Sequence, residues 1–303
     1  MCRALAYLGE TLPLADLLHR PRNALVDQCY DPKQLHMLNL AGLGLMAWAD
    51  GQAEPLTYRS TTVPMYDANL ASLARHVESH CALAHIRGIP YRSDANFGPQ
   101  NLHPFLHPHT ALALAHNGDL ARFARLKPAL AARLDPARLL AIQGTTDSEW
   151  IYALLLQCLG DAQVSVSSLA RALPEMVRIL RQARAEVGID TSSSMNLFFS
   201  DGRTIGVLRY TFDFGRYALD PSKVHEANTR YLSLWYGLGD RFEPDAQGRW
   251  GLTPAQGPPR TLICASEPLS ADPAGWVEVP EYSALLAERT DHGLALHHLA
   301  IEN

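Results

Sequence analysis

The longest helical patterns of this chain lie in its middle, with strand-like patterns on both sides of them. Apolar periodicity predicts helices over 70–77, 120–132, 146–159 and about 168–187, and Gly188 is a typical stop for the last one. Short apolar runs predict strands at 4–8, 43–48, 81–86 and 110–115, and again at 196–199, 204–208, 231–235, 261–265, 276–279 and 294–299. This order indicates an α+β fold in which two sheets pack against helices.

Composition favours a large core and argues against several classes of protein. The 303 residues are 47% hydrophobic and 19% charged, and no repeat or linker interrupts them, so we expect one domain over residues 1–303. The net charge of −5, without a run of Lys or Arg, argues against a nucleic-acid partner. No apolar stretch has transmembrane length, and no signal-peptide pattern is present, so no membrane association is expected. Five widely spaced cysteines are typical of a reduced, cytoplasmic protein.

The second residue, Cys2, is a candidate nucleophile. Removal of Met1 would leave its thiol and a free α-amine on the same carbon. The pKa of an α-amine is about 7.7–8.0 and that of a thiol is about 8.5, so the amine can accept the thiol proton near neutral pH. N-terminal nucleophiles of this kind catalyse acyl transfer. Taken alone, Cys2 is better explained as an ordinary small residue at a frayed terminus.

Two further segments carry groups that suit acyl transfer. Arg87 ends an apolar strand, where its guanidinium can bind a substrate carboxylate in a bidentate fork. His116, Asn117 and Gly118 follow another apolar run, and an Asn-Gly pair there can donate an amide and a backbone N–H to an oxyanion. For a lone Arg87, a strand-end arginine in solvent is the favoured explanation. Asn-Gly is also the commonest two-residue hairpin turn, and for this segment the turn and the functional role are equally supported.

A third segment begins the second long helix. Asp147 stands where its carboxylate can accept hydrogen bonds from a substrate ammonium. Thr146 and Glu149 have the spacing of a capping box, which by itself explains the pattern. The run from Asn101 to Phe105 lies in the loop between two strands, and it is explained equally well as a packed turn.

Clustered histidines raise the alternative of a metal-dependent hydrolase. His76 and His80 are spaced to share one helix face, but no Glu or second Cys completes a zinc-site pattern around them. We therefore expect no metal site and no cofactor.

The candidate segments in this order resemble the class II glutamine amidotransferases, which are N-terminal-nucleophile hydrolases. The resemblance spans nearly the whole chain. Within the family, the chain is most similar to the stand-alone branch that includes the ergothioneine-pathway γ-glutamyl amidohydrolase. The matching segments are Met1–Arg3, Tyr58–Ser60, His85–Arg87, Asn101–Phe105, Ala115–Gly118, Thr146–Glu149, Cys264–Leu269 and Trp276–Pro280.

The resemblance implies a four-layer αββα sandwich of two antiparallel sheets and a type-2 glutamine amidotransferase domain. It implies hydrolysis of glutamine or of a γ-glutamyl amide through a thioester on Cys2. Arg87 and Asp147 would bind the α-carboxylate and α-ammonium, with His116 beside them, while Asn117 and Gly118 would bind the oxyanion. Two runs depart from the family, namely 88–91, which lacks a threonine that seats glutamine, and 41–44, which lacks a Gly-Trp-Gly.

The family leaves the partner open. Ammonia could pass to a separate synthetase, or the protein could be a free-standing amidohydrolase, which the chain length favours. The two departures instead favour a non-catalytic relative that keeps the sandwich as a binding or regulatory module. Against that alternative, the predicted nucleophile and its predicted partners are all present.

Overall fold

A computed structural model describes residues 2–34, 37–52, 54–88, 98–216, 233–270 and 275–302. The strands in these ranges are β1 (Arg3–Pro13), β2 (Leu43–Trp48), β3 (Leu56–Ser60), β4 (Glu78–Ile86), β5 (Ala113–Asp119), β6 (Ser193–Ser200), β7 (Thr204–Phe212), β8 (Trp235–Gly239), β9 (Phe242–Pro244), β10 (Trp250–Leu252), β11 (Thr261–Ala265), β12 (Trp276–Glu278), β13 (Ser283–Thr290) and β14 (Gly293–Ala300). The α-helices are α1 (Ala15–Leu18), α2 (Ala68–His76), α3 (Phe123–Ala131), α4 (Pro136–Ala141), α5 (Asp147–Leu159) and α6 (Val166–Glu186).

Most of the strands form two large antiparallel sheets. One has seven strands in the order β12-β8-β11-β1-β4-β2-β3, and the other has five in the order β14-β13-β7-β6-β5. Strands β9 and β10 form a separate hairpin. Strand β1 therefore lies at the centre of the larger sheet, and β5 lies at an edge of the smaller one.

The side chains of β1 alternate between two cores. Ala4, Ala6 and Leu8 face the second sheet and pack in one core with residues of β6 and β7. Leu5 and Tyr7 face the other way and pack in another core with α1 and α2. A third core joins the far face of the five-stranded sheet to α3, α5 and α6. The layers thus run helix, sheet, sheet, helix, which confirms the predicted αββα sandwich.

Strand register brings three chain segments to one end of the seven-stranded sheet. Arg3 pairs with Ile86 at the end of β4, and Leu5 pairs with Ala265 at the end of β11. The residues just beyond these pairs are Cys2, Arg87 and Ser266. Antiparallel pairing thus places the start of the chain beside segments more than 80 and 260 residues away.

Several local predictions needed correction. The strand expected at 110–115 runs from Ala113 to Asp119, so the Asn-Gly pair is part of a strand and the hairpin-turn interpretation is wrong. The helix expected from 120 begins at Phe123, after Arg122 adopts a left-handed φ of 56°. Strands β3, β9, β10 and β13 were not predicted. Residues 231–232 of an expected strand lie outside the described ranges, and β8 begins at Trp235.

The α5 and α6 predictions are confirmed, and α6 accommodates Pro174. In the portions of the chain that the structure covers, no helix combines the length and the apolar character needed to cross a membrane.

Candidate active site

Cys2 lies beside the end of β4, where its sulfur contacts the backbone of Gly88. The backbone N–H of Gly88 donates to the Cys2 Sγ across 3.5 Å, and the Sγ lies 3.6 Å from the Gly88 carbonyl oxygen. The residue is half-buried. The sulfur of the predicted nucleophile is therefore adjacent to the residue that follows Arg87.

Arg87 is fixed by its backbone and has unused donor capacity in its side chain. Its N–H donates to the Gly42 carbonyl at 2.9 Å, and its carbonyl accepts from the Ala41 N–H at 3.0 Å. The residue is only 8% exposed, and its Nη1 has no hydrogen-bond partner among the described residues. Burial lowers the pKa of the guanidinium, whereas Cys2 and Asp147 act in the opposite direction. Arg87 thus lies within electrostatic range of both Cys2 and Asp147.

Asn117 and Gly118 lie near the end of edge strand β5. Asn117 Nδ2 donates to Ser266 Oγ at 3.2 Å, and Asn117 Oδ1 has no partner within the ranges described. Gly118 has a φ of 153°, and a Cβ there would collide with the Ser194 carbonyl oxygen and lie 2.6 Å from His116 Nε2. On the side of β5 that faces away from β6, the N–H groups of Leu114 and His116 are already bonded, to the Phe105 carbonyl and to His103 Nδ1. Because N–H directions alternate along a strand, the Gly118 N–H lies on this same side of β5.

Asp147 is the first residue of α5. Its Oδ2 accepts the Leu120 backbone N–H at 2.5 Å, and its Oδ1 accepts the Ser148 hydroxyl at 3.3 Å. A carboxylate at this end of a helix is also stabilised by the helix dipole. The contact with Leu120 connects the predicted ammonium-binding residue to the segment that follows the predicted oxyanion site.

The loop before Asp147 is held by a buried carboxylate rather than by a capping box. Thr146 makes no side-chain cap hydrogen bond, so the capping-box interpretation is wrong. Glu149 instead accepts the N–H groups of Gln143 at 2.9 Å and Gly144 at 2.6 Å, and it lies 3.3 Å from His107 Nε2. These hydrogen bonds lower the pKa of Glu149 although burial acts to raise it.

The 101–105 run makes hydrogen bonds to the segments that carry the predicted site residues. Asn101 Oδ1 accepts the Thr145 N–H at 2.8 Å, and its Nδ2 donates to Thr145 Oγ1 at 3.1 Å. His103 Nδ1 accepts the backbone N–H of His116 at 3.2 Å. Gly44 lies so close beneath the His103 carbonyl oxygen that a Cβ would collide with it. The run therefore connects β2, β5 and the loop before α5.

His116 is buried with both ring nitrogens in contact with protein groups. Its Nδ1 lies 2.9 Å from Ser148 Oγ, and its Nε2 lies 3.3 Å from the Ser194 carbonyl oxygen. Burial lowers its pKa, whereas Asp147 acts to raise it. Its predicted contact with substrate stays a prediction, and its ring contacts Ser148, which follows Asp147, and Ser194.

Two further buried histidines lie near Arg87. The rings of His85 and His103 are 4.2 Å apart. Burial, with a contribution from Arg87, lowers the pKa of His85 to about 3, and burial also lowers the pKa of His103. Both rings are therefore neutral near pH 7. Among the described residues, no group of three or more His, Cys, Asp or Glu side chains is arranged to hold a metal ion.

Asp119 is a carboxylate near the site that the sequence analysis missed. It is the last residue of β5 and is exposed to solvent, although neighbouring protein groups reduce the hydration of its carboxylate. Burial and repulsion from Asp147 raise its pKa to about 6, with Arg184 opposing the shift. Only the fold brings these two carboxylates together, because 27 residues separate them.

A fully buried ion pair lies behind Cys2. Arg3 Nε is 3.3 Å from Glu267 Oε1, and both side chains are inaccessible to solvent. Arg3 Nη1 donates to the Cys2 carbonyl at 3.3 Å, and Glu267 Oε2 accepts the N–H groups of Lys33 at 2.8 Å and Gln34 at 2.9 Å. The pair thus connects the first strand to the 33–34 segment.

Residues 37–211 match the family model described as class II glutamine amidotransferases. The matched range contains Arg87, Asn117, Gly118 and Asp147, whereas Cys2 lies outside it. Among curated proteins, the probable glutamine amidotransferase DUG3 of Saccharomyces cerevisiae is 27% identical over 95% of this chain and 82% of that protein. The gamma-glutamyl-hercynylcysteine sulfoxide hydrolase of Mycobacterium tuberculosis is 33% identical over 55% of this chain and 67% of that protein.

Solved structures support the same architecture. A glutamine aminotransferase class-II domain protein from Silicibacter pomeroyi aligns with a TM-score of 0.57 and 22% identity, over 99% of this chain and all of that one. The glutamine phosphoribosylpyrophosphate amidotransferase of B. subtilis aligns with a TM-score of 0.55 and 15% identity, over 99% of this chain and 50% of that one. At these identities the likeness is one of fold.

Proposed function

Because the chain belongs to the class II glutamine amidotransferases, an enzyme family that acts on amide bonds, we propose that it hydrolyses a γ-glutamyl amide through a thioester on Cys2. The observation that carries the proposal is the contact of the Cys2 sulfur with Gly88, the residue that follows Arg87, and it is supported by the effects of Cys2 and Asp147 on the pKa of the buried Arg87 guanidinium. A nucleophile, a cation and an anion in one place match the carbonyl, α-carboxylate and α-ammonium of a γ-glutamyl group.

Binding would use the two charged groups. The unused Nη1 of Arg87 is available to the α-carboxylate, for which a planar guanidinium is well suited. The Asp147 carboxylate would accept the α-ammonium. His116 contacts Ser148, and we assign it to the substrate site as a support for Asp147. A bound γ-glutamyl group would then direct its side-chain carbonyl toward Cys2.

The chemistry would proceed in two steps. The Cys2 α-amine, once Met1 is removed, takes the thiol proton, and the sulfur attacks the γ-carbonyl carbon. Asn117 Nδ2 and the Gly118 N–H would stabilise the resulting oxyanion. The C–N bond then breaks, the leaving ammonia or amine takes the proton from the Cys2 amine, and a thioester remains. Water attacks this thioester, releasing glutamate and the free thiol.

The leaving group is the part of the substrate that distinguishes glutamine from a substituted γ-glutamyl amide. The mycobacterial relative is named for hydrolysis of a γ-glutamyl conjugate, and the present chain lacks the threonine expected after Arg87. Both observations favour a substituted γ-glutamyl amide alongside glutamine as substrate. Delivery of ammonia to a separate synthetase is the alternative, and it predicts co-purification with a synthetase that raises the activity.

Hydrolysis by a cysteine variant tests the proposal. We expect Cys2→Ala to abolish release of glutamate from glutamine and from γ-glutamyl anilide. The matched control is Cys158→Ala, because Cys158 is also a free, half-buried cysteine but lies on α5, outside the site. Wild-type rates in Cys2→Ala would contradict the proposal.

A further inference from the structure

We infer that Ser266 is a positioning residue that holds the amide of Asn117 in the orientation needed to bind the oxyanion. This inference rests on the proposed function. Ser266 follows β11 directly and is fully buried. Its hydroxyl oxygen accepts the Asn117 Nδ2 hydrogen bond at 3.2 Å and the Ala4 backbone N–H at 3.0 Å. One hydroxyl thus joins the strand that begins beside Cys2 to the predicted oxyanion donor on the other sheet.

The Ser266 hydroxyl is itself placed by the backbone. The Ser266 N–H donates to the Ala4 carbonyl at 3.0 Å, and the Ser266 carbonyl accepts the Ser233 hydroxyl at 2.8 Å. Both backbone polar groups of Ser266 are therefore bonded, which fixes the residue against β1. A hydroxyl oxygen has two lone pairs, and here Ala4 and Asn117 occupy both of them.

Asn117 depends on this contact. Ser266 is the sole hydrogen-bond partner of the Asn117 amide within the described ranges, because Asn117 Oδ1 is buried without one. Without the hydroxyl, the amide has no bond that distinguishes its nitrogen from its oxygen. An orientation with Oδ1 toward the oxyanion would repel it. Removal of the hydroxyl should therefore slow formation of the tetrahedral intermediate and leave binding of the γ-glutamyl group intact.

Kinetics of single and double variants test the inference. We expect Ser266→Ala to lower kcat for glutamine hydrolysis about tenfold, the effect of losing one hydrogen bond, with KM within about twofold of wild type. Asn117→Ala removes the donor itself and should cost about 10²–10³ in kcat. If Ser266 acts through Asn117, the double variant is no slower than Asn117→Ala. A further tenfold loss in the double variant would overturn the inference.

Controls separate positioning from general damage. Ser79→Ala removes an equally buried hydroxyl at the opposite end of β4, and it should leave kcat unchanged. Ser266→Cys keeps a similar volume but offers a weak acceptor, so it should lower kcat as Ser266→Ala does. Alkylation of Cys2 by iodoacetamide forms no oxyanion, so its rate should equal that of wild type in both Ser266 variants.

The two proposals fail in different ways. Hydrolysis at the wild-type rate by Cys2→Ala would contradict the proposed function. Hydrolysis that requires Cys2 but proceeds with wild-type kcat in both Ser266 variants would overturn only the role of Ser266.

Discussion

The Cys2 sulfur lies 3.5 Å from the backbone nitrogen of Gly88, across the β1–β4 pairing. This contact places the predicted nucleophile beside the residue that follows Arg87. The start of the chain and the residue after Arg87, 86 positions apart in sequence, thus lie together at the candidate site.

Replacement of Arg87 should weaken substrate binding. In Arg87→Lys we expect KM for glutamine to rise about 10- to 100-fold, because a lysine cannot form the two parallel hydrogen bonds of a guanidinium and charged hydrogen bonds contribute about 1.5–3 kcal/mol. Steady-state kinetics provide the measurement, and the iodoacetamide reaction of Cys2 serves as a control that should not change. An unchanged KM would remove Arg87 from the substrate site.

Asp119 should make substrate binding depend on pH. Its raised pKa of about 6 means that it becomes charged as pH rises through about 6. Above that pH its negative charge adds to that of Asp147 and attracts the α-ammonium, so KM for glutamine should be lower than at pH 5. In Asp119→Asn the change in KM near pH 6 should disappear. A pH profile of KM identical to that of wild type would contradict this role.

Glu149 should affect Asp147 through the loop that precedes it. In Glu149→Gln, one oxygen that accepts a backbone N–H of Gln143 or Gly144, or contacts His107, becomes an NH₂ group that cannot accept. We expect a loss of about 1–3 kcal/mol in the free energy of unfolding and a higher KM for glutamine. Urea unfolding and steady-state kinetics measure the two effects. If both values match wild type, the loop does not depend on Glu149.

Removal of one member of the buried Arg3–Glu267 pair should strongly lower the free energy of unfolding. Glu267→Gln removes the carboxylate charge that faces the buried Arg3 guanidinium, and breaking a buried ion pair in this way costs about 3–5 kcal/mol. The matched control is Glu175→Gln, which breaks an exposed pair with Arg178 and should cost at most about 1 kcal/mol. Equal midpoints of urea unfolding in the two variants would show that the buried pair contributes no more to stability than the exposed pair.

Local patterns in the sequence predicted the main helices and most strands correctly. The α5 and α6 segments carry long apolar stretches of helical spacing, and β4 and β11 are short apolar runs, so local sequence is sufficient there. The edge strand β3 was missed because its residues are mostly exposed and lack an apolar run.

The errors occur where other hydrogen bonds override a local preference. Asn117-Gly118 favours a turn, but pairing with Asn196 and Met195 of β6 keeps it in a strand. The capping-box spacing of Thr146 and Glu149 is present, but Glu149 bonds to Gln143 and Gly144 instead.

The residues that support the site could not be predicted from their positions in the sequence. Ser266 reaches Asn117 across 149 positions, and Asp119 meets Asp147 only through the packing of α5 on β5. No spacing rule connects such pairs, because antiparallel pairing and packing of the sheets bring them together.

The most direct test is to label the protein with a glutamine analogue that carries a diazoketone in place of the carboxamide. We expect one label per chain, on the sulfur of Cys2, in a peptide that lacks Met1 and has a free α-amine, with glutamine slowing the reaction. Mass spectrometry of the labelled peptides gives both facts at once. Labelling of another residue, or full hydrolytic activity in protein that retains Met1, would contradict the account.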